Sequence, residues 1–306
     1  MNFRKILISF AVVLVPVVAS AQSGEALPLV RIGQDAGRAA LAGAGSVSAS
    51  SAVWASYENP TVALDADSKV LAGFGLNVWA PTGNMYYSAA ATSMLSDNLA
   101  LTTGFTFGNG KAYDIYSSTG QKTGTFTPSE FLVNVGAAYR VLPFLSLGAN
   151  VHYASQTLAE KQSYSAFSAD LFAGVEFGNL KVAAGVASLG SKVKSASGAE
   201  FPLPASVKIA AGYEGCSLGI LSYGAYADAD YYLYSQGFGL SVGAKVGYSD
   251  LVALKAGYHY ATDKAVIPSY ASIGLGGSLM GISIDLACLL GGPLSGTFQL
   301  GIGYKF

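Results

Sequence analysis

The chain has 306 residues, of which 51% are hydrophobic and only 11% charged, against roughly 25% charged in an ordinary soluble domain. Its 17 basic and 18 acidic residues nearly cancel, which excludes a nucleic-acid partner and supplies little charge to keep so apolar a chain dispersed in water. Beyond residue 21 there is no clean apolar run of about 20 residues, so the closed β-barrel is left as the way to span a bilayer.

The first element is a secretory signal peptide over residues 1–21. Arg4 and Lys5 precede an apolar run from Ile6 to Val18, and Ala19-Ser20-Ala21 gives a small-residue cleavage site before Gln22. Cleavage removes two basic residues and leaves a net charge of about −3. No cysteine follows the site, so a lipid anchor is not indicated.

Residues 22–67 come next. They are too many for a linker and too apolar for disorder, with Leu41, Val53, Trp54 and Tyr57 among them. A short helical pattern runs from Gln34 to Leu41, and Asn59-Pro60 marks a turn. We read this stretch as a hatch folded into the barrel from the periplasmic side. Gly43-Ala44-Gly45 follows no strand of a βαβ unit, so it is not read as a phosphate cradle.

From residue 68 onward the period is two. Val70, Ala72, Phe74, Leu76 and Val78 alternate with Gly73, Gly75 and Asn77, the mark of a half-buried strand. The pattern recurs to give about fourteen antiparallel strands, an even number that returns both barrel termini to one side. Minimal connections at Ser96-Asp97, Leu142-Pro143, Gly178-Asn179, Glu214-Gly215-Cys216, Ser249-Asp250 and Met280-Gly281 alternate with longer ones. Longer connections are expected at Gly108 to Ser129, Ser155 to Ser163, Leu189 to Ala205, Asp228 to Gln236 and Ala261 to Ser269. Short turns at one rim and long loops at the other are the outer-membrane pattern. Charges at Arg140, Asp170, Lys208, Asp228, Lys245, Lys255 and Asp285 share the parity opposite to the apolar set, so they point into the lumen. The predicted fold is therefore all-β, a transmembrane antiparallel barrel over residues 68–306 with an N-terminal plug inside and both termini periplasmic.

Chemistry-bearing residues are few. His152 and His259 fall on inward positions with no acidic or cysteine partner at local metal-ligand spacing. Each is read as a lumen polar group, and no metal, cofactor or catalytic residue is assigned. Cys216 and Cys288 are placed at opposite rims, too far apart for a disulfide. Tyr231, Tyr232 and Tyr234 are read as part of an interfacial aromatic girdle.

The stretch Asp35-Ala36-Gly37-Arg38-Ala39-Ala40-Leu41-Ala42-Gly43-Ala44-Gly45, followed by Trp54 to Asn59-Pro60, resembles the N-terminal motif of the PorV/PorQ family, relatives of the FadL-type transporters of hydrophobic compounds. Leu76 to Pro81, Thr127 to Phe131 and Phe201 to Pro204 continue the likeness. Gly301 to Phe306 resembles the terminal aromatic signal, with Tyr304 and Phe306, by which barrels are recognised for assembly. The resemblance implies a FadL-like barrel of Bacteroidota in which Asp35, Arg38, Asn59 and Pro60 belong to the hatch. It also implies a non-enzymatic role in type IX secretion, with the secretion translocon, its cargo or another large outer-membrane protein as partner, and membrane lipid around the barrel. The alternative reading is a FadL-like passive conduit whose partner is a hydrophobic small molecule. An outer-membrane enzyme ranks last, because neither histidine lies on the outward face beside a nucleophile.

Overall fold

A computed structural model describes residues 25–117, 119–160, 162–194, 198–217, 220–249 and 251–306; the expected signal peptide lies outside them. In chain order the first strands are β1 (Val70–Trp79), β2 (Asn84–Ser96), β3 (Leu99–Asn109), β4 (Tyr113–Tyr116), β5 (Lys122–Phe126) and β6 (Ser129–Leu142). There follow β7 (Leu145–Ala159), β8 (Gln162–Phe177), β9 (Leu180–Gly190), β10 (Val193–Lys194), β11 (Glu200–Phe201) and β12 (Ser206–Ser217). The last are β13 (Leu221–Tyr232), β14 (Phe238–Tyr248), β15 (Val252–Ala261), β16 (Tyr270–Leu279), β17 (Ile282–Leu290) and β18 (Phe298–Lys305). Fourteen of these form one closed barrel, while β4–β5 and β10–β11 are separate two-stranded hairpins in the long connections. The barrel closes where β1 pairs antiparallel with β18, from Leu71 opposite Lys305 to Val78 opposite Phe298. Closure leaves no edge strand with unpaired backbone groups, the condition a sheet must meet inside lipid.

Alternation sorts the two faces as the sequence suggests. Along β3, Leu101, Phe105 and Phe107 are exposed outward while Ala100, Thr102, Gly104, Thr106 and Gly108 are buried inward. Val133, Val135, Val151, Leu171, Ile209, Val246, Leu254, Ile273 and Ile284 continue the exposed apolar band around the barrel. A band of this extent has no counterpart on a water-soluble monomer. Aromatic pairs flank the band: Phe144 stacks on Phe177 at 6.3 Å and Tyr213 on Tyr223 at 6.4 Å near the short-turn rim. At the other end Tyr153 lies 4.7 Å from Phe167. Such girdles mark the two water interfaces of a membrane barrel.

Several connections differ from expectation, three of them as follows. The turn placed at Glu214-Gly215-Cys216 is strand, because β12 stays paired with β13 as far as Ser217 opposite Leu221. The loop expected from Ser155 to Ser163 is mostly ladder, with β7 and β8 paired out to Ala159 opposite Gln162 past a register shift. The stretch from Gly108 to Ser129 carries the β4–β5 hairpin. In the first two, polar or glycine-bearing sequence reads as a break, but backbone pairing with a long neighbour carries the strand through it; in the third the connection folds into its own two-stranded sheet.

Residues 25–67 run the length of the lumen. The Ala26 amide donates to the Pro202 carbonyl (2.9 Å) in the connection ahead of β12, at the long-loop rim. The segment then descends and enters β1 at the opposite rim, where the Phe306 amide donates to the Val70 carbonyl (2.9 Å). Both barrel ends thus meet at the short-turn rim, but the first described plug residue lies at the far one. The plug thus threads the lumen from rim to rim instead of looping back.

Inward glycines are what let the plug fit. A Cβ on Gly243 would come within 2.8 Å of the Leu41 carbonyl, and one on Gly104 within 2.7 Å of the Ser56 hydroxyl. Gly148 similarly faces the Pro60 ring at 2.7 Å and Gly174 the Thr61 hydroxyl at 2.8 Å. The small lumen residues are the seats of the plug.

Candidate functional site in the lumen

Two of the plug's four short helical elements are capped by side chains. Asp35 caps the single helical turn Ala36–Ala39, accepting from the Gly37 amide (2.8 Å) and the Arg38 amide (3.2 Å). Burial pushes the Asp35 carboxyl above its ordinary range, with Asp285 adding to the rise against the Ser51 hydrogen bond and the charges of Arg38 and Lys255. Asn59 caps the 3-10 turn Pro60–Asp65: its Oδ1 accepts from the Thr61 amide (3.1 Å) and hydroxyl (2.7 Å), and its Nδ2 donates to the Ser46 carbonyl (2.9 Å). Asp35 and Asn59 are therefore structural caps, and Pro60 fills the space over Gly148.

Between plug and wall lies a layer of ion pairs. Arg38 bridges Glu58 (2.6 Å) and Asp228 (3.5 Å), Lys208 bridges Glu58 (2.6 Å) and Asp230 (3.5 Å), and Arg31 reaches Asp230 (2.6 Å). Three cations meet three anions, so the layer is electrically closed. The fourth side of Asp228 takes the Gly45 amide (2.8 Å) and the Ser46 amide (3.2 Å), and Arg38 also donates to the Gly43 carbonyl. The glycine turn at 43–45 thus binds a carboxylate of the wall. Burial drives the Glu58 carboxyl up, but Arg38, Lys208 and Arg31 outweigh it and hold the group well below the usual carboxylate range.

Above this layer, toward the long-loop rim, the lumen is apolar. Leu27, Leu29, Ile32, Ala39 and Ala42 of the plug pack with Trp79, Leu203, Tyr270, Leu289 and Leu294 of the wall and loops. A cavity of about 80 Å³ lies where the apolar cap meets the ion pairs, touching Arg31, Arg38 and Glu58 on one side and Trp79, Tyr270 and Leu294 on the other. Below the plug a larger cavity of about 330 Å³ faces the short-turn rim, lined by Lys245, Lys255, Asp285, Asp65 and Lys305 among others.

Several residues fall differently from the sequence reading. Tyr231 is exposed outward as a girdle residue, but Tyr232 is buried inside. There its ring lies 5.5 Å from the Arg31 guanidinium, because alternation must put one member of an adjacent pair in the lumen. His152 does have an acidic partner, though not one close in sequence. Its Nε2 meets Asp170 at 2.8 Å and its Nδ1 meets Asn134 at 2.7 Å across neighbouring strands. His259 hydrogen-bonds Ser241 at 2.8 Å. Both cysteines are free, Cys216 exposed near the end of β12 and Cys288 half-buried on β17. Tyr304 and Phe306 stand edge to face at 4.7 Å on the short-turn rim. The sequence reading missed Arg31, Glu58 and Asp230 altogether, since their partners are remote in the chain.

No protein-family model and no curated protein matches the sequence. The fold, by contrast, is that of solved FadL-like outer-membrane barrels. The Pseudomonas putida toluene transporter TodX is similar at a TM-score of 0.63 and 13% identity, over 90% of this chain and 99% of that one. The Ralstonia pickettii toluene transporter TbuX matches at 0.57 and 13% identity, over 83% and 94% of the two chains. A Pseudomonas aeruginosa FadL homologue matches at 0.53 and 13% identity, over 89% and 98%. At such identities the likeness concerns the fold, a closed fourteen-stranded barrel with short helical turns near its N-terminus. These neighbours overturn the expectation of a type IX secretion subunit, because they are hydrocarbon transporters and a FadL homologue. The motifs at 35–45 and 54–60 that suggested it are explained by the plug: they hold caps, seats on lumen glycines and ion pairs, none of which presents a surface to a protein cargo.

Proposed function

We propose that this barrel is a passive conduit carrying small hydrophobic molecules across the outer membrane, without enzymatic activity. The observation that carries this reading is the apolar cap inside the lumen. A water-filled pore has a polar interior, whereas here Leu27, Leu29, Trp79, Tyr270, Leu289 and Leu294 are gathered at the long-loop end. A hydrophobic solute gains about 25 cal/mol for each Å² it buries there. The short-turn rim is assigned to the periplasm, by the usual asymmetry of such barrels, so the solute enters through the cap and leaves through the larger polar cavity. The fold likeness to transporters of toluene supports this reading. Passage requires the plug to shift, since about 80 Å³ is roughly half of the 150 Å³ in which an engineered cavity holds benzene. Tyr304 and Phe306 serve assembly at the barrel's C-terminal end, and Asp35, Arg38, Asn59 and Pro60 serve plug docking.

The test is import by a deletion strain complemented with an empty vector or with the wild-type barrel. Faster initial uptake of radiolabelled toluene with the barrel is expected, while uptake of a polar sugar stays at the vector level. Equal toluene uptake in both strains would remove the reading.

A further inference from the structure

The cavity at the boundary of the apolar cap has two chemically distinct sides. One is aromatic and aliphatic, through Trp79, Tyr270, Leu289 and Leu294; the other carries Arg31, Arg38, Glu58, Lys208 and Asp230. Its lining also includes His259 and Gln299, which are 6% and 3% exposed. The His259 Nδ1 pairs with the Ser241 hydroxyl (2.8 Å), and the ring also bonds the Ile267 backbone. The Gln299 Nε2 donates to the Gly33 carbonyl (3.3 Å) while its Oε1 accepts nothing. Arg31 Nε and Arg38 Nε are likewise buried without an acceptor. Gln299, Arg31 and Arg38 therefore hold polar atoms that are removed from bulk water and unspent within the protein, a costly arrangement unless something fills it.

We propose that this cavity binds a small neutral aromatic compound bearing one hydroxyl group, a phenol rather than a plain hydrocarbon. The inference rests on the conduit reading and names the class of solute. The ring lies among Trp79, Tyr270, Leu289 and Leu294, and the hydroxyl meets Gln299. A hydroxyl is both donor and acceptor: it gives its proton to the Gln299 Oε1 and accepts from an arginine Nε. A carboxylate fits badly, because Gln299 Oε1 would face it unpaired and the ion-pair layer is already neutral, with no cation left over. A plain hydrocarbon would displace any water and leave these atoms orphaned. The volume needed beyond the present 80 Å³ comes from the loop side, where Ile267 lies in the connection between β15 and β16 outside the wall.

The experiment is calorimetric titration of the full processed barrel in detergent micelles with p-cresol and with toluene, which share the methylated ring and differ by the hydroxyl. Partition into protein-free micelles is subtracted. Binding of p-cresol at least about tenfold tighter is expected, equivalent to about 1.4 kcal/mol, with benzoate weaker than p-cresol. Gln299→Leu and Gln299→Met should each bring the cresol-to-toluene ratio toward one. If one variant fails to fold, the other carries the comparison. Measurable but equal binding of cresol and toluene overturns the hydroxyl inference and leaves the conduit reading standing. Preference for benzoate overturns the neutrality of the site. No binding of either aromatic, with only ordered water in the cavity of cresol-soaked crystals, overturns the inference; toluene import by the complemented strain then tells whether the conduit reading falls with it.

Discussion

Glu58→Gln should loosen the plug more than any other single polar change in the lumen. Glu58 holds both Arg38 and Lys208 at 2.6 Å, and the amide removes the charge with almost no change of shape. Breaking a buried pair costs about 3 to 5 kcal/mol, because the abandoned cation stays buried. Two features put this case at the lower end: the Glu58 side chain is 22% exposed, and each cation keeps a second carboxylate at 3.5 Å. We therefore expect a loss of about 3 kcal/mol in plug docking, or roughly a hundredfold rise in its opening equilibrium. Amide hydrogen exchange of residues 35–60 in micelles reads this directly as faster exchange, while the barrel strands keep their protection. A change below about threefold would refute the claim that this layer fastens the plug. The pH dependence has a definite sign. Since the native carboxyl of Glu58 is held below its ordinary range, its contribution is complete above about pH 4.3, the unperturbed value. It is lost as the pH falls through the lowered one. The difference between wild type and Glu58→Gln should thus be flat from pH 7 to 5 and shrink only in stronger acid.

Gly243→Leu should push the plug out by overlap with Leu41, at about 1 to 3 kcal/mol or more, and expose residues 25–67 to protease; Gly124→Ala in the β4–β5 hairpin, where nothing lies within 4 Å, should leave the digestion pattern unchanged. Asn59→Ala removes a cap and the bond to the Ser46 carbonyl, and should cost about 1 to 2 kcal/mol of plug docking by the same exchange measurement. Phe306→Ala should slow assembly in pulse-chase experiments but not lower the melting temperature of barrel already folded, since the Phe306 side chain is largely exposed.

How much of this was legible in the sequence follows from the range of each interaction. Period-two alternation is local, so all fourteen barrel strands and the inward parity of Lys208, Asp228 and Lys255 could be read without partners. The turns at Gly178-Asn179 and Met280-Gly281 were legible for the same reason: both glycines take positive φ values, 60° and 82°. What could not be read depends on register across the barrel. The His152–Asp170 contact joins residues 18 apart, and the Arg38–Asp228 pair joins residues 190 apart. Nothing in local spacing predicts either. Tyr232 was misassigned because three clustered tyrosines suggest a common face, whereas a strand sends neighbours to opposite sides. The secretion role came from motifs whose residues prove to be the plug's own caps and seats, which a conduit needs as much as a secretion subunit would.

Under the proposed conduit function, hydrophobic solutes pass through this lumen when the plug moves. A Cβ on Gly301 would stand 3.3 Å from that of Ala36, close to the 3.5 to 4.5 Å span of a disulfide. Ala36→Cys with Gly301→Cys, in a background where Cys216 and Cys288 are serine, should therefore tie plug to wall on oxidation. Toluene uptake by complemented cells should fall to the vector level when the crosslink forms and recover when it is reduced. Uptake that exceeds the vector equally with the plug locked and released would contradict the account.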